Sequence, residues 1–97
     1  MIRHIVFFSA KDPGEIDTIR EGLEALAAIP GSTVFEVREN AKIDPMGNEV
    51  DVVVYAEFAD AERLAAYKAH PAYAATTARV RPLRDMRLSA DIVSGDD

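Results

Sequence analysis

The sequence predicts an α+β domain with the element order strand–helix–strand–strand–helix–strand. Three observations carry that expectation. Val50 to Phe58 alternates with a period of two, and so do the segments near either end of the chain, Ile2 to Phe8 and Met86 to Ile92. Ile16, Ile19, Leu23 and Leu26 recur instead at helical spacing. Successive strand side chains point to opposite faces, whereas helix side chains share a face every three or four residues, so the two patterns separate the elements.

The elements follow in order. On the first strand, Ile2, His4, Val6 and Phe8 share one face and Arg3, Ile5 and Phe7 the other, so both faces are mostly apolar and both need cover. Asp12-Pro13-Gly14-Glu15 is a helix start, with a capping side chain, proline at the first helical position and Glu three residues after the cap. That helix ends near Ile29, because Pro30-Gly31 cannot continue it. Thr33 to Glu39 is a strand with Phe35 and Val37 on one face. Residues 40–48 are polar, contain Pro45 and Gly47, and form the connection to the next strand. In that strand Val50, Val52, Val54, Ala56 and Phe58 face one way, and Val53 and Tyr55 the other. Asp60 caps a second helix carrying Leu64 and Tyr67. Pro71 removes a backbone donor and clashes with the preceding turn, so a break is expected at His70, with a further helical segment from Tyr73 to Val80 stopped at Pro82. In the last strand Met86, Leu88, Ala90 and Ile92 alternate with Arg87, Ser89 and Asp91.

This order is the split βαβ arrangement of ferredoxin-like domains. Right-handed crossovers put both helices on one face of an antiparallel sheet, with the last strand on one side of the first and the third on the other. His4, Val6 and Phe8 then point at the helices. Ile5, Phe7, Val53, Tyr55, Leu88, Ala90 and Ile92 point away from them and form an apolar sheet face. A second copy packed sheet against sheet would cover that face, so a homodimer is expected. Residues 1–93 are expected to form a single domain and 94–97 a disordered polar tail.

Composition narrows the functions. The chain has 97 residues, a net charge of −6 and no cysteine. The acidic balance opposes nucleic-acid binding, and no aromatic-and-basic interleaving offsets it. Arg79, Arg81, Arg84 and Arg87 do form a basic cluster, open to reading as a solvated helix end or as an anion site. Thiolate chemistry, disulfides and Cys-ligated zinc are excluded. No run reaches the ~18 apolar residues of a membrane span, and no signal-peptide pattern precedes the first strand. A cytoplasmic protein without membrane contact is the expectation. There is neither a dinucleotide nor a phosphate-loop motif, and acidic pairs such as Asp44 and Glu49 read as solvated loop charges, so no cofactor and no metal are expected.

Only two histidines are present. His4 faces the helices, and antiparallel pairing of the last strand with the first brings Asp91 close to it. Val6, Phe8, Phe35 and Val54 supply apolar walls, while Tyr67, His70 and Tyr73 approach from the second helix. Apolar walls with a few convergent polar groups describe a small-molecule site. His4 is a candidate acid or base with Asp91 fixing its tautomer, and equally a core histidine satisfied by Asp91 or a carbonyl. His70 is open between a ligand contact and a helix-end cap that donates to a free carbonyl. Tyr67 and Tyr73 also fit as core aromatics with hydroxyls at the rim.

The segments IRHIVFF, IPG, DVVVYAEF, DAERLAAY and KAHPAY resemble the stress-responsive A/B barrel family, also called Dabb or dimeric α/β-barrel domains. The likeness spans essentially the whole chain, and its most specific part is Tyr67-x-x-His70-Pro71-x-Tyr73. It implies a ferredoxin-like protomer and a dimer closed by two sheets. Most members have no assigned activity; a few resemble cofactor-free enzymes, including plant cyclases of polyketide chains and monooxygenases of aromatic quinols. By that resemblance His4 matches the first-strand histidine, Tyr67 the pocket tyrosine, and Asp91 the supporting aspartate. At Tyr73 the cyclases carry a second histidine as general base, and a phenol with an ordinary pKa near 10 is a poor substitute. Thr18 and Gly22 stand where bulky aromatic pocket walls are expected. The leading expectation is therefore a small hydrophobic or aromatic ligand held between sheet and helices. A cofactor-free enzyme with a histidine acid or base, and a purely structural stress-associated dimer, are the alternatives.

Overall fold

The structure, a computed structural model, describes residues 1–95. Its strands are β1 (Ile2–Ala10), β2 (Ser32–Glu39), β3 (Val52–Phe58) and β4 (Arg84–Val93), and its helices α1 (Ile16–Glu24), α2 (Ala61–Ala69) and α3 (Pro71–Val80). The strands form one antiparallel sheet in the order β2-β3-β1-β4. This is the α+β, ferredoxin-like fold that the strand and helix periodicities predict.

The alternation along β1 decides which side is core. His4, Val6 and Phe8 are buried, whereas Ile5 and Phe7 are only half-buried. On β3 the same parity buries Val52, Val54, Ala56 and Phe58 and leaves Val53 and Tyr55 half-exposed. The buried set meets Ile19, Leu23 and Leu26 from the first helical segment, Leu64 and Tyr67 from α2, and Val80 from α3. One apolar layer thus lies between sheet and helices, and burying each of its large side chains contributes roughly 1.5–3 kcal/mol.

The element ends differ from expectation for local reasons. Asp12 caps as expected, its carboxylate accepting from the Gly14 N–H at 2.9 Å, but it starts a 3-10 turn (Pro13–Glu15) ahead of α1. Glu15 makes no capping bond back. After Glu24 the chain tightens into a second 3-10 turn (Ala25–Ala28), and Gly31, at φ +117°, makes the sharp exit. Only glycine takes that backbone conformation without strain. Val50 and Asp51 fall outside β3. The Asp51 N–H donates to the Phe8 carbonyl, and its carboxylate accepts from the Ala10 N–H at 2.8 Å and from Lys42 Nζ at 2.6 Å, so it acts as a clasp at the sheet end. Partial burial raises the Asp51 pKa, but those two bonds outweigh it and hold the carboxyl below its usual range.

The expected break at Pro71 is present. His70 adopts φ −66° and ψ 138°, the extended conformation that a following proline imposes, and it separates α2 from α3. The second segment starts at Pro71 rather than Tyr73, because proline is suited to the first helical position. At the other end of the chain, Ser94, placed by the sequence in the tail, donates its N–H to the Met1 carbonyl at 3.0 Å. Asp96 and Asp97, the rest of that expected tail, lie outside the described residues. No helix among the described residues is long and apolar enough to cross a membrane.

Candidate functional site

The pairing of β1 with β4 places His4 directly opposite Asp91. The His4 ring is 1% exposed, and its Nδ1 lies 2.5 Å from Asp91 Oδ1. An ionised carboxylate only accepts, so Nδ1–H donates to it, and in the neutral ring the other nitrogen, Nε2, is an acceptor. Among the described residues Nε2 has no hydrogen-bond partner, and no fully enclosed side-chain nitrogen or oxygen lacks one, so Nε2 opens onto the space beside it. The Asp91 bond therefore sets the tautomer and aims the free lone pair.

That space is a cleft between the sheet and the helices. Its floor is His4, Val6, Phe8 and Val54; Leu23 and Leu26 wall one side; Tyr67, Tyr73, Thr76, Thr77 and Val80 wall the other; Arg84 and Arg87 stand at its mouth. The enclosed volume is about 30 Å³, which holds one or two water molecules. A larger occupant has to displace side chains, and the half-buried Tyr73 is one of those that line the cleft. Its hydroxyl accepts from Arg87 Nη2 at 3.3 Å, a long bond across the opening.

Tyr67 is the centre of the aromatic packing. Its ring lies 5.1 Å from Phe58, 5.4 Å from Tyr73, 6.3 Å from His4 and 6.5 Å from Phe35, centroid to centroid. Burial pushes its phenol pKa well above the ordinary value and the nearby Tyr73 adds to that, with Arg87 only partly opposing. The hydroxyl therefore stays protonated at neutral pH. The cleft offers His4 Nε2 and a neutral hydroxyl at Tyr67 over an apolar floor, with Thr76, Thr77, Tyr73, Arg84 and Arg87 as its other polar groups.

Six of the residues singled out from the sequence meet in this cleft: His4, Val6, Phe8, Val54, Tyr67 and Tyr73. Asp91 touches it through His4. Two do not reach it. Phe35 sits on β2, the edge strand beyond β3, so it packs on Tyr67 and borders a shallow surface depression with Glu24, Ala27 and Val37. His70 is exposed and turned to the backbone, its Nδ1 accepting from the Ala72 N–H at 3.0 Å. Its ring caps the start of α3, and it is the backbone N–H, not the ring, that donates to the end of α2, at the Tyr67 carbonyl. Arg87, which strand parity puts on the His4 face, does reach the cleft, whereas sequence reasoning missed Leu23, Leu26, Thr76, Thr77, Val80 and Arg84 as cleft residues. Gly22 contributes no wall: a Cβ there would lie 3.1 Å from Val80 Cγ2, so it is the close-contact point of α1 with α3. Around Asp44, its Oδ1 accepts from the Met46 N–H and its carbonyl from the Asn48 side chain, as in a self-bonded loop.

The sequence profile of the stress-responsive A/B barrel domain matches residues 2–94. The chain belongs to the Dabb family. Among solved structures, it is similar to a Dabb protein with a ferredoxin-like fold from Mesorhizobium loti, at 30% identity and a TM-score of 0.81, over 96% of this chain and 95% of that one. It is also similar to a dimeric ferredoxin-like protein of unknown function from Thermobifida fusca, at 25% identity and a TM-score of 0.79, over 96% and 90% of the two chains. A putative antibiotic biosynthesis monooxygenase from Nitrosomonas europaea shares the fold at 18% identity and a TM-score of 0.78, over 98% and 99%. No protein with a curated description shows significant similarity to the chain.

Proposed function

We propose that this Dabb domain is a homodimer that holds a small hydrophobic or aromatic molecule in the cleft beside His4. The observation that carries the reading is that an open acceptor, His4 Nε2, and the protonated Tyr67 hydroxyl line one cleft with an apolar floor. A polar ring atom at the floor of a cleft without a protein partner is free to bond a water or a ligand. The dimer rests on the helix-free sheet face, where Leu88 is 58% and Ile92 49% exposed beside half-exposed Ile5, Phe7, Val53 and Tyr55, and on the dimeric state described for the T. fusca neighbour. A cytoplasmic setting suits a cysteine-free chain.

Thr77→Phe tests the binding reading. Thr77 is half-buried on α3 and lines the cleft, so a benzyl group there fills the opening while the helix is kept. A panel of small apolar and aromatic compounds, followed by calorimetry, should yield binders to the wild type whose affinity collapses in the variant. Equal affinity for both proteins would place the ligand elsewhere.

The short His4–Asp91 bond favours a second reading, cofactor-free acid–base catalysis. A carboxylate-oriented imidazole with one nitrogen free is the arrangement a general base needs. In this case His4 Nε2 takes a proton from a bound, acidic C–H or O–H, and Tyr67 donates to the oxygen on which charge develops. Turnover would then be lost in His4→Gln and depressed in Asp91→Asn, with binding retained in both. Turnover that survives His4→Gln would exclude this reading.

A further inference from the structure

We infer that Arg84 and Arg87 form an anion-recognition pair at the mouth of the cleft, selecting ligands with a carboxylate at one end of an apolar body. The inference rests on the cleft being a ligand site and adds the chemical class of the ligand.

The first observation is one of charge. Among the described residues three cationic side chains are half-buried: Arg20, Arg84 and Arg87. Arg20 lies within ion-pair distance of Asp17, Glu24 and Glu39. Arg84 and Arg87 have no carboxylate partner among the described residues, although the chain carries 17 acidic residues against 11 basic ones. Both half-buried guanidinium groups without a counter-ion therefore line the same cleft. A guanidinium taken partly out of water gains most from a planar, bidentate acceptor, which is what a carboxylate provides.

The second observation is how they come to share that side. Residues 84 and 87 are three apart on one strand, so regular alternation would put them on opposite faces. The ladder between β1 and β4 shifts register between Phe8 and Ala10, where Arg87 lies opposite Phe8 and Arg84 opposite Ala10. At the shift, the Ser9 hydroxyl accepts from the Met86 N–H at 2.9 Å, taking a bond the regular ladder would make. An irregularity of this kind re-aims side chains, and here it turns both arginines toward the cleft. Among the described residues the Arg87 guanidinium makes one hydrogen bond, the long one to the Tyr73 hydroxyl, so an entering anion can take its place and release Tyr73 from the opening.

The pair also sets polarity. Asp91 sits four residues from Arg87, about 13 Å along a strand, and its negative charge repels an anion from the His4 end. The carboxylate of the ligand stays at Arg84 and Arg87, and its apolar body runs inward toward His4 and Tyr67.

Calorimetry with octanoate and phenylbutyrate, each against its own amide, tests this on the wild type and on the double variant Arg84→Gln/Arg87→Gln. The wild type should bind each acid about tenfold or more tightly than the amide, with the acid's advantage falling as salt is raised. The double variant should lose that advantage and keep its affinity for the amides. Acid and amide binding equally to the wild type, or an acid preference that survives in the double variant, overturns the anion pair and leaves the ligand site standing. Binding of neither class to the wild type overturns both.

Discussion

Phe7→Asp should convert the protein from a dimer to a folded monomer. Phe7 lies on the helix-free face, opposite Val53 on one side and Leu88 on the other, at the middle of the exposed apolar surface. Burying such side chains against a second sheet stabilises by roughly 1.5–3 kcal/mol each. An unpaired carboxylate trapped in that interface costs several kcal/mol instead. The protomer's own core lies on the other side of the sheet, so the variant can retain its fold once alone. Sedimentation at micromolar concentration should give twice the 10.6 kDa chain mass for the wild type and the single mass for the variant. A wild type that sediments as a single chain would contradict the dimer.

Tyr67→Ala should cost about 3–5 kcal/mol, the usual loss for deleting a fully buried aromatic ring. Tyr67 is 1% exposed and meets the rings of His4, Phe35, Phe58 and Tyr73, so its removal opens a cavity bordered by side chains on several elements. In a domain of total stability near 5–15 kcal/mol, that is a large fraction. Tyr67→Phe separates structure from function. It keeps the ring and deletes only a hydroxyl that makes no hydrogen bond among the described residues, so the melting temperature should barely change while ligand affinity falls. A large stability loss in Tyr67→Phe would show the hydroxyl to be structural.

Much of this arrangement is legible in the residues because sheets follow simple parity. Two-sided apolar patterning on β1 assigns His4, Val6 and Phe8 to one face, and antiparallel pairing of the two terminal strands brings Asp91 opposite His4. The helical walls are less legible. Leu23, Leu26, Thr76 and Thr77 reach the cleft through the way the helices pack on the sheet, which periodicity alone does not determine. Arg84 was hidden by the register shift between Phe8 and Ala10, since regular alternation puts it on the far side from Arg87. His70 misleads for another reason. In a Tyr-x-x-His-Pro context it looks like a pocket residue, but the proline starts a new helix whose free Ala72 N–H needs a cap, and the imidazole supplies it. Phe35 has the right parity but sits one strand too far from β1 to border the cleft.

The ligand reading is tested most directly by the two imidazole rings, which give separate NMR signals in a chain with only two histidines. His4 lines the cleft, and His70 is exposed, bonded to the Ala72 N–H and outside the lining, an internal control. Titration with an apolar or aryl carboxylate should move the His4 ring nitrogen and Cε1–H resonances together with the Thr76 and Thr77 amides, and leave His70 in place. Shifts confined to His70 or to the open sheet face, with His4 silent at saturation, would contradict a ligand site in this cleft.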